Sequence, residues 1–159
     1  MKREFGAKNA NELLPTLLEH YRLAYIRKPE FMGNTRVEEK APEYKIVKDL
    51  PWSETYIRQR MSAYERLSDD VERIAKNIPT DRKTAYYQLV QYPVQATAQM
   101  NIKHLSAQLA RHGLVEWHVS DAAYDSIVAL TQRYNDVKWE GIMDMHPRRL
   151  PVFAQVKHE

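Results

Sequence analysis

Cysteine is absent from the 159 residues, so no disulfide and no thiolate metal site can form, and a cross-linked mini-fold is excluded. Glycine is nearly as scarce: with 4 in the chain, tight turns are few and the elements between them are long. Nowhere do ~20 apolar residues run together, and the opening MKREFGAKNANELL lacks the apolar stretch of a signal peptide. Neither sign of charge dominates. The 24 Lys and Arg against 21 Asp and Glu leave +3, a mixed surface unlike the basic stripe of a nucleic-acid binder. There is no glycine-rich phosphate loop, no Gly-x-Ser-x-Gly elbow and no His-Glu-x-x-His pair. The expectations are therefore no metal, no cofactor, no nucleic acid and no membrane.

What the chain does have is helical period. From Asn9 or Asn11 to Ile26, Leu13, Leu14, Leu17, Leu18, Tyr21 and Tyr25 recur at helical spacing, with Pro15 near the first turn, where a missing amide matters least. The next stretch, RKPEFMGNTRVEEKAPEYKIVKDLP, is broken by Pro29, Gly33, Pro42 and Pro51 and reads as a long connection. A second helix runs from Trp52 or Ser53 to Asn77. Tyr56, Ile57, Met61, Tyr64, Leu67, Val71, Ile74 and Ile78 line one side of it, with charges on the other. Pro79 ends it, and Thr80 can cap the next helix.

A third helix spans Asp81 to Arg111 or His112, with Gly113 as its stop and an apolar face from Tyr86, Leu89, Val90 and Val94 to Leu105 and Leu109. Pro93 falls in its middle, where it has no N–H to give and its ring crowds the carbonyl of Leu89; the expectation is a bend or a division there. A fourth helix is expected after Ser120 as N-cap, carrying Ala123, Ile127, Leu130 and Tyr134. Residues 137–159 show no period and read as an irregular tail. No strand pattern and no internal repeat occurs. The expectation is an all-α, antiparallel bundle of four to five helices in a single domain, residues 1–159.

Catalytic equipment is not visible. Glu38–Glu39 and Asp69–Asp70 are adjacent pairs that cannot face each other across a cleft, and they read as solvated charge. His104 and His112 sit two helical turns apart, too far to share an ion. Basic residues near aromatics, such as Arg133, Tyr134, Lys138 and Trp139, are interleaved with Asp136, Glu140 and Asp144, which dilutes any phosphate-binding field.

Three stretches occur in a familiar order: EFGAKNANELLPTLLEHYRLAYIRKPE, YYQLVQYPVQATAQMN and YNDVKWEGIMDMHP. Together they resemble part of the family 115 glycoside hydrolases, similar in function to α-glucuronidases that remove (4-O-methyl)glucuronic acid from xylan. The resemblance implies a large, exported, multidomain parent, with an α/β domain, a catalytic barrel, a helical bundle and a β-rich domain. This chain corresponds to the bundle and a little of its flanks. The catalytic carboxylates of that family lie on the barrel, so the resemblance implies no catalytic residue here, and the segment alone is expected to be no enzyme.

Three readings are open at this point. The first is a scaffold that holds the barrel and the last domain in register, a homodimer contact included. Trp139, Ile142, Met143 and Phe153 are its interdomain candidates, and Pro93 is its structural bend. The second is a carbohydrate-contacting module that extends the cleft for glucuronoxylan. Arg148 and Arg149 could then grip a uronate carboxylate with paired hydrogen bonds beside Trp139. The third is a free-standing helical adaptor that binds protein or nucleic acid.

Overall fold

A computed structural model describes residues 1–27, 49–135 and 152–158. Its helices are α1 (Lys2–Phe5), α2 (Ala7–Ile26), α3 (Glu54–Ala75), α4 (Lys83–Tyr86), α5 (Tyr92–Arg111) and α6 (His118–Asn135). A 3₁₀ turn (Thr80–Arg82) leads into α4, and a π turn (Tyr87–Gln91) joins α4 to α5. The fold is all-α, with no strand among the described residues, and no helix among them is long and apolar enough to cross a membrane.

Side-chain contacts fix the directions. Asn9 donates to Asn77 O and Arg73 pairs with Glu12, while Arg60 reaches Leu23 O, so α2 and α3 are antiparallel. Gln95 reaches Ser68 O and Tyr86 reaches Val71 O, which sets the α4–α5 rod against α3 in the same sense. Ser120 Oγ donates to Lys103 O and Tyr87 Oη to Leu130 O, so α6 runs back along α5. Helix α1 packs on α2 and α2 on α3, and α5 lies between α3 and α6. Leu13 and Leu23 of α2, Tyr64, Leu67, Val71 and Ile74 of α3, Tyr86, Val94, Ala98 and Ile102 of the rod and Ala123 of α6 share one core.

The ends follow local chemistry. Ser53 caps α3 by accepting from Tyr56 N–H. Gly113, at φ +69°, ends α5: its N–H donates to Ala110 O and that of Leu114 to Leu109 O, the paired bonds of a Schellman motif. Two expected caps are corrected. The 3₁₀ turn begins at Thr80 without a side-chain cap bond. Helix α6 begins at His118, and Ser120 lies buried inside its first turn, where its hydroxyl serves Lys103 O instead. Pro15 also lies deeper in α2 than expected, because that helix starts at Ala7; the ring is exposed.

The disturbance around Pro93 takes the form of the π turn. Tyr92 N–H bonds to Tyr87 O, five residues back, and Pro93 comes next as the second residue of α5, so the backbone stays helical from Thr80 to Arg111. The turn also explains an error of pattern. Tyr86, Val90, Val94, Ala98 and Ile102 are all in the core at steps of four, a spacing that drifts by ~40° per step on a regular α-helix. The wider π winding returns the row to the core. A uniform 3.6 period instead places Leu89 on the apolar face, and in the structure it is 71% exposed.

Candidate interaction surfaces

Every residue from Met100 to Ala110 is buried, so α5 has no solvent face over that length and its polar side chains must find partners inside. They find peptide groups. Gln108 accepts from Leu50 N–H at 2.9 Å and donates to Leu50 C=O at 2.8 Å, filling both hydrogen-bonding positions of one residue. The Lys103 ammonium, wholly buried, donates to Val152 O at 2.8 Å and Ala154 O at 2.7 Å, and lies over the Tyr124 ring. His104 Nε2 lies 2.8 Å from Val152 O; since a carbonyl only accepts, that nitrogen carries the proton.

Burial disfavours charge on both groups. It pushes the Lys103 ammonium down from 10.5 to about 7. It lowers His104 from 6.5 to about 3, with the neighbouring Lys103 adding to the effect. A buried cation among carbonyls invites comparison with a catalytic lysine, yet Lys103 gives two of its three N–H donors to the tail backbone. Its work is positional: together with His104 it holds residues 152–154 against α5. Further along, Asp121 accepts from Gln155 at 2.8 Å and lies 3.0 Å from His158, whose ring stacks on Trp117 at 4.7 Å. The bond from Gln155, then His158, holds the Asp121 carboxyl below its usual range.

A second polar centre lies between α2 and α3. Arg60 is buried; it donates to Leu23 O and to Tyr64 Oη, and its guanidinium lies over the rings of Trp52 (5.1 Å) and Tyr64 (5.4 Å). The groove outside it, about 400 Å³, is lined by Glu12, Glu19, Arg66, Asp70 and Arg73, whose charges largely answer one another. Among the described residues no three His, Asp or Glu side chains gather closely enough to hold an ion.

The residues expected to carry function fare differently. Arg148, Arg149, Trp139, Ile142 and Met143 lie outside the described residues. Phe153 is half-buried in the tail, and its neighbour Val152, fully buried, is the side chain that anchors that segment. Pro93 is half-buried at the start of α5. Sequence reasoning missed Lys103, His104 and Gln108. Their one sign was polar residues set among Ile102, Leu105 and Leu109 in a helix otherwise rich in apolar ones.

The apolar series of the first helix is also divided. Leu13 is buried and Leu17 packs against the core, but Leu14 (51%), Leu18 (61%), Tyr21 (66%) and Tyr25 (93%) stand exposed. No family model and no curated protein matches the chain. A solved structure does: a family GH115 4-O-methyl-α-glucuronidase, BtGH115A, described as specific for decorated arabinogalactans. It is 56% identical over 99% of this chain, with a TM-score of 0.94. The chain is related to family GH115. It spans 21% of the length of that GH115 structure. At that identity and TM-score the helical arrangement described above is shared with the GH115 protein.

Proposed function

We propose that this chain is the non-catalytic helical domain of a GH115 α-glucuronidase-type hydrolase, and that it holds neighbouring domains of that enzyme in register. The observation that carries the reading is the match of almost the whole chain to one fifth of a GH115 enzyme. The interior adds support. Lys103 and His104, the most strongly perturbed bases, are both committed to backbone carbonyls. Tail and helix then act as one body, so the domain transmits position from one neighbour to the next without reacting itself.

The parent acts on a polysaccharide decorated with glucuronic acid. Xylan is the expectation drawn from sequence, whereas decorated arabinogalactan belongs to the 56%-identical relative. The test offers the purified chain both decorated polymers and follows released (4-O-methyl)glucuronic acid. Release at the blank rate is expected, and turnover that follows the purified chain would overturn the reading. Calorimetric titration with decorated and plain oligosaccharides completes it. Saturable heat specific to the decorated sugar, lost on Arg148→Ala or Trp139→Ala, would replace the scaffold with the carbohydrate-contacting module.

A further inference from the structure

Between α3, α5 and α6 lies a second groove of about 370 Å³, within the ~300–1,000 Å³ range of small-molecule sites. Ser68 of α3, Gln95 and Gln99 of α5, and Ser126, Leu130 and Arg133 of α6 line it. Steps of four on α5, and of four and three on α6, set each helix's contributors on one side of that helix. Its electrostatics differ from those of the groove beside α2. There acids and bases answer one another, whereas here Arg133 is the only charged group among the described lining residues.

Arg133 is held ready for an anion. Its guanidinium lies over the Tyr87 ring, 4.1 Å from the centre, a contact that uses none of its N–H donors. Tyr87 is itself fixed, since its hydroxyl donates to Leu130 O at 2.6 Å. No carboxylate among the described residues pairs with Arg133, whereas Arg22, Arg58, Arg73, Arg82 and Arg111 each have one. The uncharged groups complete the lining. The side chains of Ser68 and Gln99 bond to no described group, and Ser126 gives its proton to Ala122 O but keeps its lone pairs. Gln95 is buried and reaches Ser68 O and Glu72 only at 3.4 Å, while its Oε1 accepts from no described group. Such long bonds resist a turn of the amide weakly, and a turn brings Oε1 to the groove. An idle acceptor of this kind calls for a hydroxyl donor.

One fixed cation suits a ligand with a single negative charge. Free amides and hydroxyls around it suit neighbouring hydroxyl groups, which donate and accept at once. Leu130 offers apolar surface to the C–H face of a ring. We propose that this groove binds a sugar acid, a hexuronate, with its carboxylate on Arg133 and its ring hydroxyls on Gln95, Gln99 and Ser68. The ligand is either the free sugar acid or the same group carried as a side group on a polysaccharide. The groove holds it without reacting, whether or not the domain also keeps its neighbours in register. For a ligand this small the dissociation constant is on the order of 1 mM.

The experiment is titration of the whole chain with sodium glucuronate, followed by NMR, with glucose as the uncharged control and acetate as the control without hydroxyls. The side-chain amides of Gln95 and Gln99 and the Arg133 Nε–H should shift saturably with glucuronate, and each control should bind at least ~10-fold more weakly. Arg133→Gln, at an exposed position, should keep the helical content and weaken glucuronate at least ~10-fold, to the level of glucose. Gln99→Ala should weaken it by ~2–10-fold. Acetate as tight as glucuronate would reduce the groove to a plain anion seat and overturn the sugar. Glucose as tight as glucuronate would overturn the part given to Arg133. Binding that survives Arg133→Gln but is lost on Arg148→Ala would move the sugar away from the groove, and unmoved signals at ~20 mM glucuronate would end the proposal. A glucuronate-decorated oligosaccharide that shifts the same signals identifies the side group of a polymer as the ligand, and shifts with free glucuronate alone identify the released sugar acid; either result supports the groove. Sugar release is a separate readout, so the scaffold reading stands or falls apart from this one.

Discussion

Helices α2 and α5 are both 20 residues long, and each treats its residues in the way the other would be expected to. Helix α5 encloses a lysine, a histidine, a glutamine and a serine, while α2 presents two leucines and two tyrosines to solvent. Polarity alone does not decide this. A polar side chain is buried without large cost where a peptide group is positioned to receive it, as Leu50 receives Gln108 and Val152 receives Lys103. An apolar one is left outside where the core is already filled from the other side of the helix. The contrast teaches that burial follows the partners a residue finds and the space the core has left, and only then its polarity.

The contrast can be broken most forcefully at α5. Leu105 is fully buried, and Leu105→Ala should cost about 2–5 kcal/mol, read as a lower urea midpoint at unchanged slope. A cost below ~1 kcal/mol would mean that α5 is not the closed centre described. Next comes the buried ammonium. The folded state lowers Lys103 to about 7 while the unfolded lysine stays near 10.5, so between those values the unfolded chain binds more protons. Its contribution to stability is therefore full above the unfolded value and falls as pH drops toward 7. The melting temperature of the wild type should rise from pH ~7 to ~9 relative to Lys103→Met, which removes the titrating group. Parallel profiles for the two proteins would sink the assignment. The smallest effect belongs to α2: Leu18→Ala, at an exposed position, should change stability by no more than ~0.5 kcal/mol. A loss of ~2 kcal/mol there would show that the row contributes to the domain's own core.

Much of the bundle is legible in the residues. Helix α3 alternates its apolar and charged sides so regularly that its extent and most of its buried side come from spacing alone, Arg60 excepted, which spacing groups with the outward charges and the structure buries; Gly113 marks the end of α5 as a glycine in the left-handed region should. Periodicity says which residues share a side, however, and not whether anything covers it. That is why spacing groups Leu14, Leu18, Tyr21 and Tyr25 with the core residue Leu13. Leu89 departs from expectation for a different reason: a single π turn alters the winding, and no residue type signals it except, at a distance, Pro93. The clamp on the tail is illegible because the partners of Lys103 and His104 are main-chain carbonyls some fifty positions away, which carry no residue-specific mark. Of the candidate site, Arg148, Arg149 and Trp139 rest on the resemblance and on chemistry alone.

The reciprocal pair between Gln108 and Leu50 has a consequence for how this domain tolerates change. An amide that grips a neighbour only through its N–H and C=O does not read that neighbour's side chain. The chain entering α3 is thus moored twice at Leu50, by its peptide group on Gln108 and by its buried side chain beside Ile57, Leu105 and Leu109, and the first of these holds whatever the side chain is. A bundle tied in this way keeps the point at which the chain rejoins it ahead of α3.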